Sequence, residues 1–337
     1  MGGLLAKFAP GGYRGAALHS LRREGRRGRI REAKGMPEVS ATTPDPAIPP
    51  ATDAAADGVT VVFVTYNSGA VIGRAVASVP PDCDVVVVDN ASPEGTAWHA
   101  GLARPARLVP MARNVGFGAG CNAGAREART RYVLFLNPDA ALEAGAVDAL
   151  RAAAARYGAP AVLMPAIVGE DGRLMRKEGT IFEPVRRGAR LRPEEVAGDY
   201  CTRFVHGAAF MMARDAFLAM GGFDEAIFLY HEDDDLSLRA IAAGVPIIVV
   251  PGARAVHAGG RSSAPSFRQT FAINRFKQQS EAYLRAKYRR RDSRAMQALK
   301  LAGGCVLALA LLDAHRLAIR SGKLLGLFDP PVTPKPG

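Results

Sequence analysis

Short runs of valine, isoleucine and leucine alternate with alanine-rich stretches through the middle of this chain, and this alternation restricts the fold more than any other feature. Each run is apolar enough to be buried on both faces, which is typical of strands in a parallel sheet. Such strands are predicted at 59–65, 84–89, 132–136 and 161–165, and helices at 70–78, 122–129 and 144–157. The pattern predicts an α/β sandwich with helices on both faces of a mostly parallel sheet.

Weaker signals continue this order toward the carboxyl terminus. A proline-containing edge strand is predicted at 107–111. Further strands are predicted at 205–212 and 246–250. Helices are predicted at 214–220 and across 268–327, and another begins at the acidic run 232–235 and ends at Gly244. Residues 169–200 are rich in glycine and arginine, and the sequence predicts no structure for them.

Positive charge is concentrated at the two ends of the chain. The formal net charge is +12, and residues 1–35 and 268–294 hold nine lysines or arginines each. Residues 1–57 lack an apolar period, so we expect a basic, disordered arm and linker there. A globular α/β domain is expected at 58–265, and a basic, then apolar, helical segment at 266–330.

The cysteines and the apolar runs bear on where the protein works. The four cysteines are scattered without zinc-like spacing, which favours a reducing compartment. No signal-peptide pattern is present, and the longest apolar run, 301–312, is too short to cross a bilayer. We therefore expect a cytoplasmic protein. The mixture of basic and aromatic residues in 268–294 favours peripheral contact with the inner face of the membrane, with packing on the domain or a dimer contact as alternatives.

Polar residues follow the first two predicted strands, at the edge where parallel strands place their ligand sites. Thr65 and Asn67 end the first strand, and Asp89 ends the second. A carboxylate at this edge is suited to accept the N3–H of a pyrimidine ring. The alternative is that Asn67 or Ser68, and Asn90 or Ser92, only cap the helices that follow.

A glycine-rich turn at 113–120 then opens a helix. Glycines at such a turn let backbone N–H groups approach a phosphate, so Arg113, Asn114 and Gly116 are candidates for binding one. The same stretch satisfies a relaxed dinucleotide fingerprint, which leaves a nicotinamide-dependent oxidoreductase as an alternative. That fingerprint normally follows the first strand of its fold, and here it lies about fifty residues downstream of that strand.

Two further groups of residues carry candidate chemistry. Asp139 follows a buried strand within Asn137-Pro138-Asp139, where it is either a ligand for Mg²⁺ or Mn²⁺ or a helix cap. Four consecutive acids at 232–235 begin a helix, and adjacent like charges raise one another's proton affinity, as a general base requires. Helix capping is the alternative. His257 lies beside glycines after a strand and is either a ligand or structural.

These pieces, in this order, resemble family 2 glycosyltransferases, in particular the bacterial rhamnosyltransferase- and galactofuranosyltransferase-like branch. The resemblance covers about residues 58–262. The matching stretches are V-T-Y-N-S at 64–68, V-V-D-N-A-S at 87–92, R-N-V-G-F-G-A-G-C-N-A-G at 113–124, F-L-N-P-D at 135–139, H-G-A-A-F-M at 206–211, G-G-F-D-E at 221–225, F-L-Y-H-E-D-D-D-L-S-L-R at 228–239 and V-H-A-G-G at 256–260. It implies the GT-A fold, a single α/β/α sandwich whose first half binds the nucleotide and whose second half receives the acceptor.

The resemblance also implies residue roles. Asp89 is similar to the aspartate that reads the pyrimidine, with Thr65 and Asn67 beside the base and ribose. Asp233 is similar to the catalytic base, and Glu232 to its supporting acid.

For the metal, Asp139 stands at the last position of the D-x-D motif, and His257 is similar to the histidine that completes the metal shell. Asn137 stands here at the first position of D-x-D, where the motif has an acid, and this departure weakens the expected metal shell. We therefore count Asn137 among the candidate donor-binding residues.

The implied activity is transfer of a sugar, with inversion, from a dTDP- or UDP-sugar to a hydroxyl of a glycan or lipid-linked acceptor in cell-envelope synthesis. Rhamnose is the first candidate for the sugar, and Mg²⁺ or Mn²⁺ is the implied metal. A catalytically silent GT-A domain that only binds carbohydrate is the alternative from another class. The basic ends lack a recognisable nucleic-acid-binding module, so no nucleic-acid partner is expected. The oligomeric state stays open.

Overall fold

The computed structural model describes residues 57–175, 177, 179–183, 193–257, 266–290 and 293–330. Apart from Asp57, the arm and linker predicted at 1–57 lie outside the described residues. So does part of the segment at 169–200 for which the sequence predicts nothing.

Strands and helices alternate through the first half of the described chain, as predicted. The strands are β1 Val59–Thr65, β2 Asp84–Asp89, β3 Arg107–Pro110, β4 Tyr132–Leu136, β5 Ala140–Leu142, β6 Val162–Val168, β7 Tyr200–Thr202, β8 Ala209–Ala213 and β9 Ile247–His257. The helices are α1 Gly69–Ala77, α2 Phe117–Glu127, α3 Ala146–Tyr157, α4 Arg214–Ala219, α5 Glu232–Ala242, α6 Phe267–Lys287, α7 Arg294–Ala310 and α8 Ala314–Gly326.

All of these strands form one sheet in the order β3-β2-β1-β4-β8-β6-β9-β5, with β7 paired to β9. The strands β3, β2, β1 and β4 are parallel, so their carboxyl ends meet at one edge. Beyond β4 the sheet is more mixed than the sequence predicted. The strand β8 is antiparallel to both β4 and β6, and β5 and β7 are antiparallel to β9.

Helices cover both faces of the sheet, which confirms the α/β/α sandwich. Residues of β1 alternate between the two cores: Val61 and Phe63 pack with α1 and α3, whereas Val62 and Val64 pack with α2, α4 and α5. This alternation is the period of two expected for a strand buried on both sides.

Three observed elements differ from their predicted bounds. The predicted strand at 205–212 is β8, which begins only at Ala209. The strand predicted at 246–250 continues to His257, with a register shift in its pairing with β6 near Pro165. The helix predicted from residue 122 begins at Phe117, because the glycines that discourage an isolated helix here allow α2 to approach the sheet closely.

The carboxyl-terminal segment is helical, as predicted, and α6 is fixed to the α/β domain by polar contacts. Ser280 Oγ donates to the Leu229 carbonyl oxygen at 2.9 Å, and the Tyr288 hydroxyl donates to Asp235 at 2.8 Å. The helix α8 packs closely on α6, since a Cβ at Gly322 would stand 2.4 Å from a carbonyl oxygen of α6. None of the helices in the described residues is long and apolar enough to cross a membrane.

Candidate active site

The carboxyl ends of β1 and β2 bring Thr65 and Asp89 together, as the sequence predicted. Asp89 is buried, and both of its oxygens accept hydrogen bonds from Ser92, at 2.6 Å from Oγ and 3.1 Å from the backbone N–H. Thr65 Oγ1 lies 3.2 Å from the same carboxylate. Asn67 is exposed beside this group, and its N–H donates to Ser92 Oγ at 2.9 Å. A carboxylate has about four acceptor sites, so Asp89 retains capacity for a further donor.

Helix capping does not account for these polar side chains. Ser68 is the N-cap residue of α1 but makes no side-chain capping bond. Ser92 is instead bonded to Asp89 and Asn67, and Asn90 is bonded to the glycine-rich turn. The alternative in which they only cap helices therefore does not describe their contacts.

Asn90 holds the glycine-rich turn against the end of β2. Its Nδ2 donates to the Gly116 carbonyl oxygen at 2.9 Å, and its Oδ1 accepts from the Val115 N–H at 3.2 Å. On the far side of the turn, the Phe117 N–H donates to the Phe228 carbonyl oxygen at 3.2 Å. The turn thus connects the Asp89 edge to the segment that leads into the acidic run.

The glycines of this turn are required for close packing. Gly116 has φ +91°, and a Cβ there would stand 2.1 Å from the Phe228 carbonyl oxygen. A Cβ at Gly120 or Gly124 would overlap valine side chains of β1. The sequence predicted that backbone N–H groups of this turn approach a phosphate. The N–H groups of Val115, Gly116 and Phe117 instead donate hydrogen bonds within the protein.

Arg113 and Asn114 lie on the outer side of the turn. Both line a cavity of about 900 Å³ between the 111–115 segment, α2, Phe228 and α6. Asp89 is not among the residues that line this cavity. Arg113 and Asn114 therefore line a cavity that Asp89 does not line, while the backbone of the same segment meets Asp89 through the Met111 N–H, and a shared nucleotide site for all of them stays a prediction.

Asp139 and His257 face each other at the opposite side of the β4 end. The antiparallel pairing of β5 with β9 sets Ala140 opposite His257, which brings Asp139 Oδ1 to 3.1 Å from His257 Nε2. Asn137 Nδ2 lies 3.5 Å from the same nitrogen. Asp139 does not cap a helix, because the helix that follows, α3, has Gly145 as its N-cap residue.

His206, which the sequence analysis left without a role, lies beside His257, with the two rings edge to face and their centroids 6.4 Å apart. Burial, together with the neighbouring His257 and Lys177, lowers the pKa of His206 to about 4. The imidazole is therefore neutral near pH 7. The next residue, Gly207, faces Asp233. A Cβ added at Gly207 would lie 3.6 Å from the Cβ of Asp233.

The acidic run begins α5, and its first two carboxyl groups have strongly raised proton affinities. Burial raises the pKa of Glu232 to about 8, with a further contribution from the charge of Asp233. Burial and Asp234 raise the pKa of Asp233 to about 6. Glu232 Oε2 has no hydrogen-bond partner among the described residues, whereas Asp233 Oδ1 accepts from the Asp234 N–H at 2.9 Å.

Asp234 behaves differently from its two neighbours. Burial alone would raise its pKa, but His231 and Lys177 together hold it below the ordinary value. His231 Nδ1 lies 2.8 Å from one oxygen, and Lys177 Nζ lies 3.1 Å from both. The Ile181 N–H donates to the same carboxylate at 2.7 Å. Asp234 therefore connects Lys177 and Ile181 to the acidic run by hydrogen bonds.

The predicted residues described above lie mainly in two parts of the structure. One part holds Asp89, Thr65 and Asn67, and the glycine-rich turn joins it to the acidic run. The other holds Asp139, Asn137 and His257, and Gly207 joins it to Asp233. Sequence reasoning missed Lys177 and His206. His206 lay within a matching stretch, but Lys177 lay in the segment without a predicted structure.

This chain is similar to known glycosyltransferases over much of its length. A family model for glycosyl transferase family 2 matches residues 60–220. The N-acetylglucosaminyl-diphospho-decaprenol L-rhamnosyltransferase of Mycobacterium tuberculosis is 30% identical over 233 residues, which cover 60% of this chain and 76% of the relative. This chain belongs to glycosyl transferase family 2. The succinoglycan biosynthesis protein ExoO of Rhizobium meliloti is 32% identical to this glycosyltransferase over 216 residues, 61% of each chain.

A solved structure shows the same fold. The crystal structure of GalNAc-T7 with UDP, GalNAc and Mn²⁺ superposes on this glycosyltransferase with a TM-score of 0.50 at 18% sequence identity. The superposition covers 68% of this chain and 51% of that one. The fold is therefore GT-A, as the resemblance implied, and family membership excludes the nicotinamide-dependent alternative.

Proposed function

We propose that this glycosyltransferase transfers a sugar with inversion from a pyrimidine nucleotide-sugar to a hydroxyl group, with Asp233 as the base. The observation that carries the proposal is the state of the acidic run. Asp233 has a pKa raised to about 6, so it is ionised near neutral pH and still basic enough to accept a proton. Its Oδ1 is held by the Asp234 N–H, and its carboxylate faces Gly207, which has no side chain to block it.

In the proposed reaction the acceptor oxygen attacks the anomeric carbon as the bond to the nucleoside diphosphate breaks. Asp233 takes the proton of the acceptor hydroxyl. A single displacement inverts the anomeric centre, by the same geometric reasoning that separates inverting from retaining glycosidases. Glu232, with its pKa near 8, stays largely protonated at neutral pH and so does not add a second negative charge beside the base.

The residues at the end of β4 fit a divalent ion of the Mg²⁺ or Mn²⁺ type. Asp139 Oδ1 and His257 Nε2, which lie 3.1 Å apart, would hold such an ion. Asn137 lies beside these two residues, with its Nδ2 3.5 Å from His257 Nε2. The described residues contain no group of three or more histidine, cysteine or acidic side chains placed for a metal, so diphosphate oxygens and water would complete the shell. Such an ion offsets negative charge on the leaving diphosphate.

The donor assignment rests on the Asp89 edge and on the relatives. Asp89, Thr65 and Asn67 provide a buried carboxylate, a buried hydroxyl and an exposed amide for a pyrimidine and its ribose. Relatives named as rhamnosyltransferases occur in Mycobacterium tuberculosis and in Escherichia coli, the latter WbbL, which is 29% identical over 82 residues. We therefore place rhamnose from dTDP-rhamnose first and UDP-sugars second.

The acceptor is proposed to be a glycan or a lipid-linked saccharide of the cell envelope, reached at the cytoplasmic face of the membrane. The Mycobacterium tuberculosis relative is named for a decaprenol-linked saccharide, which supports an acceptor of this class. The net charge of +12 supports attraction to an anionic leaflet.

A nucleotide-release assay over dTDP- and UDP-sugars, with Mg²⁺, Mn²⁺ or chelator, tests the proposal. We expect release from one donor, dependent on both metal and an envelope extract as acceptor. Nucleotide binding without any turnover would favour the silent carbohydrate-binding domain instead. Failure to bind any pyrimidine nucleotide would contradict the proposed donor.

A further inference from the structure

Exposed apolar side chains are concentrated in α7, in α8 and in the turn between them. Fourteen large hydrophobic residues are exposed in the described part of the chain, and nine of them lie between Met296 and Phe328. Five belong to residues 306–312, here called the apolar tip, and are 57–92% exposed: Val306, Leu307, Leu309, Leu311 and Leu312. Single exposed hydrophobic residues are ordinary, but a contiguous group marks a docking surface.

The apolar tip is not a frayed end. It joins α7 to α8, and the inner faces of these helices are buried at Leu301, Ala308 and Ala318. The helix α8 is held against α6 by Gly322 and Gly326, where a Cβ would stand 2.4 Å and 2.2 Å from backbone oxygens of α6. The tip therefore projects from a packed helical layer.

Basic residues lie on the two helices that carry the tip. Residues 293–330 contain five lysines or arginines and two acids. Arg316 pairs with Asp313, but Arg294, Lys300 and Arg320 have no acidic partner among the described residues. The apolar tip therefore belongs to a pair of helices in which basic residues outnumber acidic ones.

This charge pattern selects the partner. In a two-fold dimer the same patch meets itself, so the cations of one copy would face those of the other. An anionic lipid surface attracts the cations and receives the leucines below its headgroups. We propose that the apolar tip docks this protein on the surface of an anionic membrane, which deepens the proposed location at the cytoplasmic face.

The surface differs from the one that the sequence indicated. The sequence favoured membrane contact for the basic and aromatic residues of 268–294, with packing on the domain as an alternative, and three of the aromatic side chains pack on the domain. Phe276 packs on Phe228 with ring centroids 4.8 Å apart. The hydroxyl groups of Tyr283 and Tyr288 donate to Asp224 and Asp235, each at 2.8 Å. The helix α6 thus lies between α8 and the acidic run.

Vesicle co-sedimentation of the full chain tests the proposal without any sugar nucleotide, so its outcome is separate from that of the proposed activity. The wild type is expected to bind vesicles that contain phosphatidylglycerol and to bind phosphatidylcholine vesicles much less. Leu311→Ser combined with Leu312→Ser should lower the partition coefficient at least ~tenfold. Val71→Ser, at an exposed apolar position on α1, is the matched control and should bind as the wild type does.

Sedimentation velocity and far-UV circular dichroism complete the test. The double variant should keep the helical signal and the sedimentation coefficient of the wild type. No binding to anionic vesicles, or equal binding by the double variant, would overturn the proposal. So would a wild-type dimer that the double variant converts to a monomer, because the tip would then be an interface between two copies.

Discussion

Glu232→Gln replaces a buried carboxyl group with a neutral amide of the same shape, and its effect on stability should depend on pH. The folded protein raises the pKa of Glu232 from 4.5 to about 8, mainly through burial. Between these two values the folded protein holds a proton that the unfolded chain releases. The free energy of unfolding of the wild type therefore falls as pH rises through this window, and the amide removes this loss.

The size of the effect follows from the shift. Each pH unit inside the window costs up to ~1.4 kcal/mol, so the variant should gain ~2–3 kcal/mol relative to the wild type between pH 5 and pH 7. Urea unfolding of both proteins, followed by circular dichroism at several pH values, measures this difference. The change Glu143→Gln, at an exposed position, is the control and should give a difference that does not vary with pH. A flat or falling difference for Glu232→Gln would refute the reasoning.

Three other substitutions test separate parts of the site. Gly116→Ala should lower the free energy of unfolding in urea by ~3 kcal/mol or more, because φ at this position is +91° and the new Cβ meets a carbonyl oxygen. The control Gly95→Ala, at φ +71° in open space, should lower it by only ~1 kcal/mol. Lys177→Met removes a cation that lowers the pKa of Asp233, so the acid limb of the pH profile of kcat should move up by ~0.5–1 pH unit. Lys177→Arg should restore the wild-type profile. An acid limb that does not move would contradict this prediction. Asn137→Asp adds a carboxylate beside His257, so the metal concentration for half-maximal turnover should fall about tenfold, and an unchanged value would argue against a metal at this place.

The sequence was sufficient for the parallel half of the fold and for the residues at its strand ends. Strands buried on both faces produce continuous apolar runs, so β1, β2 and β4 were placed correctly, and the polar residues after β1 and β2 meet at one edge as predicted. The antiparallel half was harder. The strands β5 and β7 have three residues each, too short for a periodic signal, yet the pairing of β5 with β9 brings Asp139 to His257.

The contacts of Lys177 and the use of the glycines needed the structure for another reason. Lys177 meets Asp234 across 57 residues of chain, and an exposed lysine in a segment without periodicity gives no sign of such a partner. The glycines of 113–120 fit both a phosphate site and close packing, because both need a missing side chain. Only the positions of Phe228 and the β1 valines show that packing requires them.

The most direct test of the central claim is turnover by Asp233→Asn, measured with the best donor and acceptor beside nucleotide affinity. We expect kcat to fall ~10²–10⁴-fold while the nucleotide still binds, because the amide keeps the shape of the side chain but cannot take the proton of the acceptor. Asp148→Asn, at an exposed position on α3, should turn over as the wild type does. Near wild-type turnover by Asp233→Asn would contradict the assignment of the base and, with it, the mechanism.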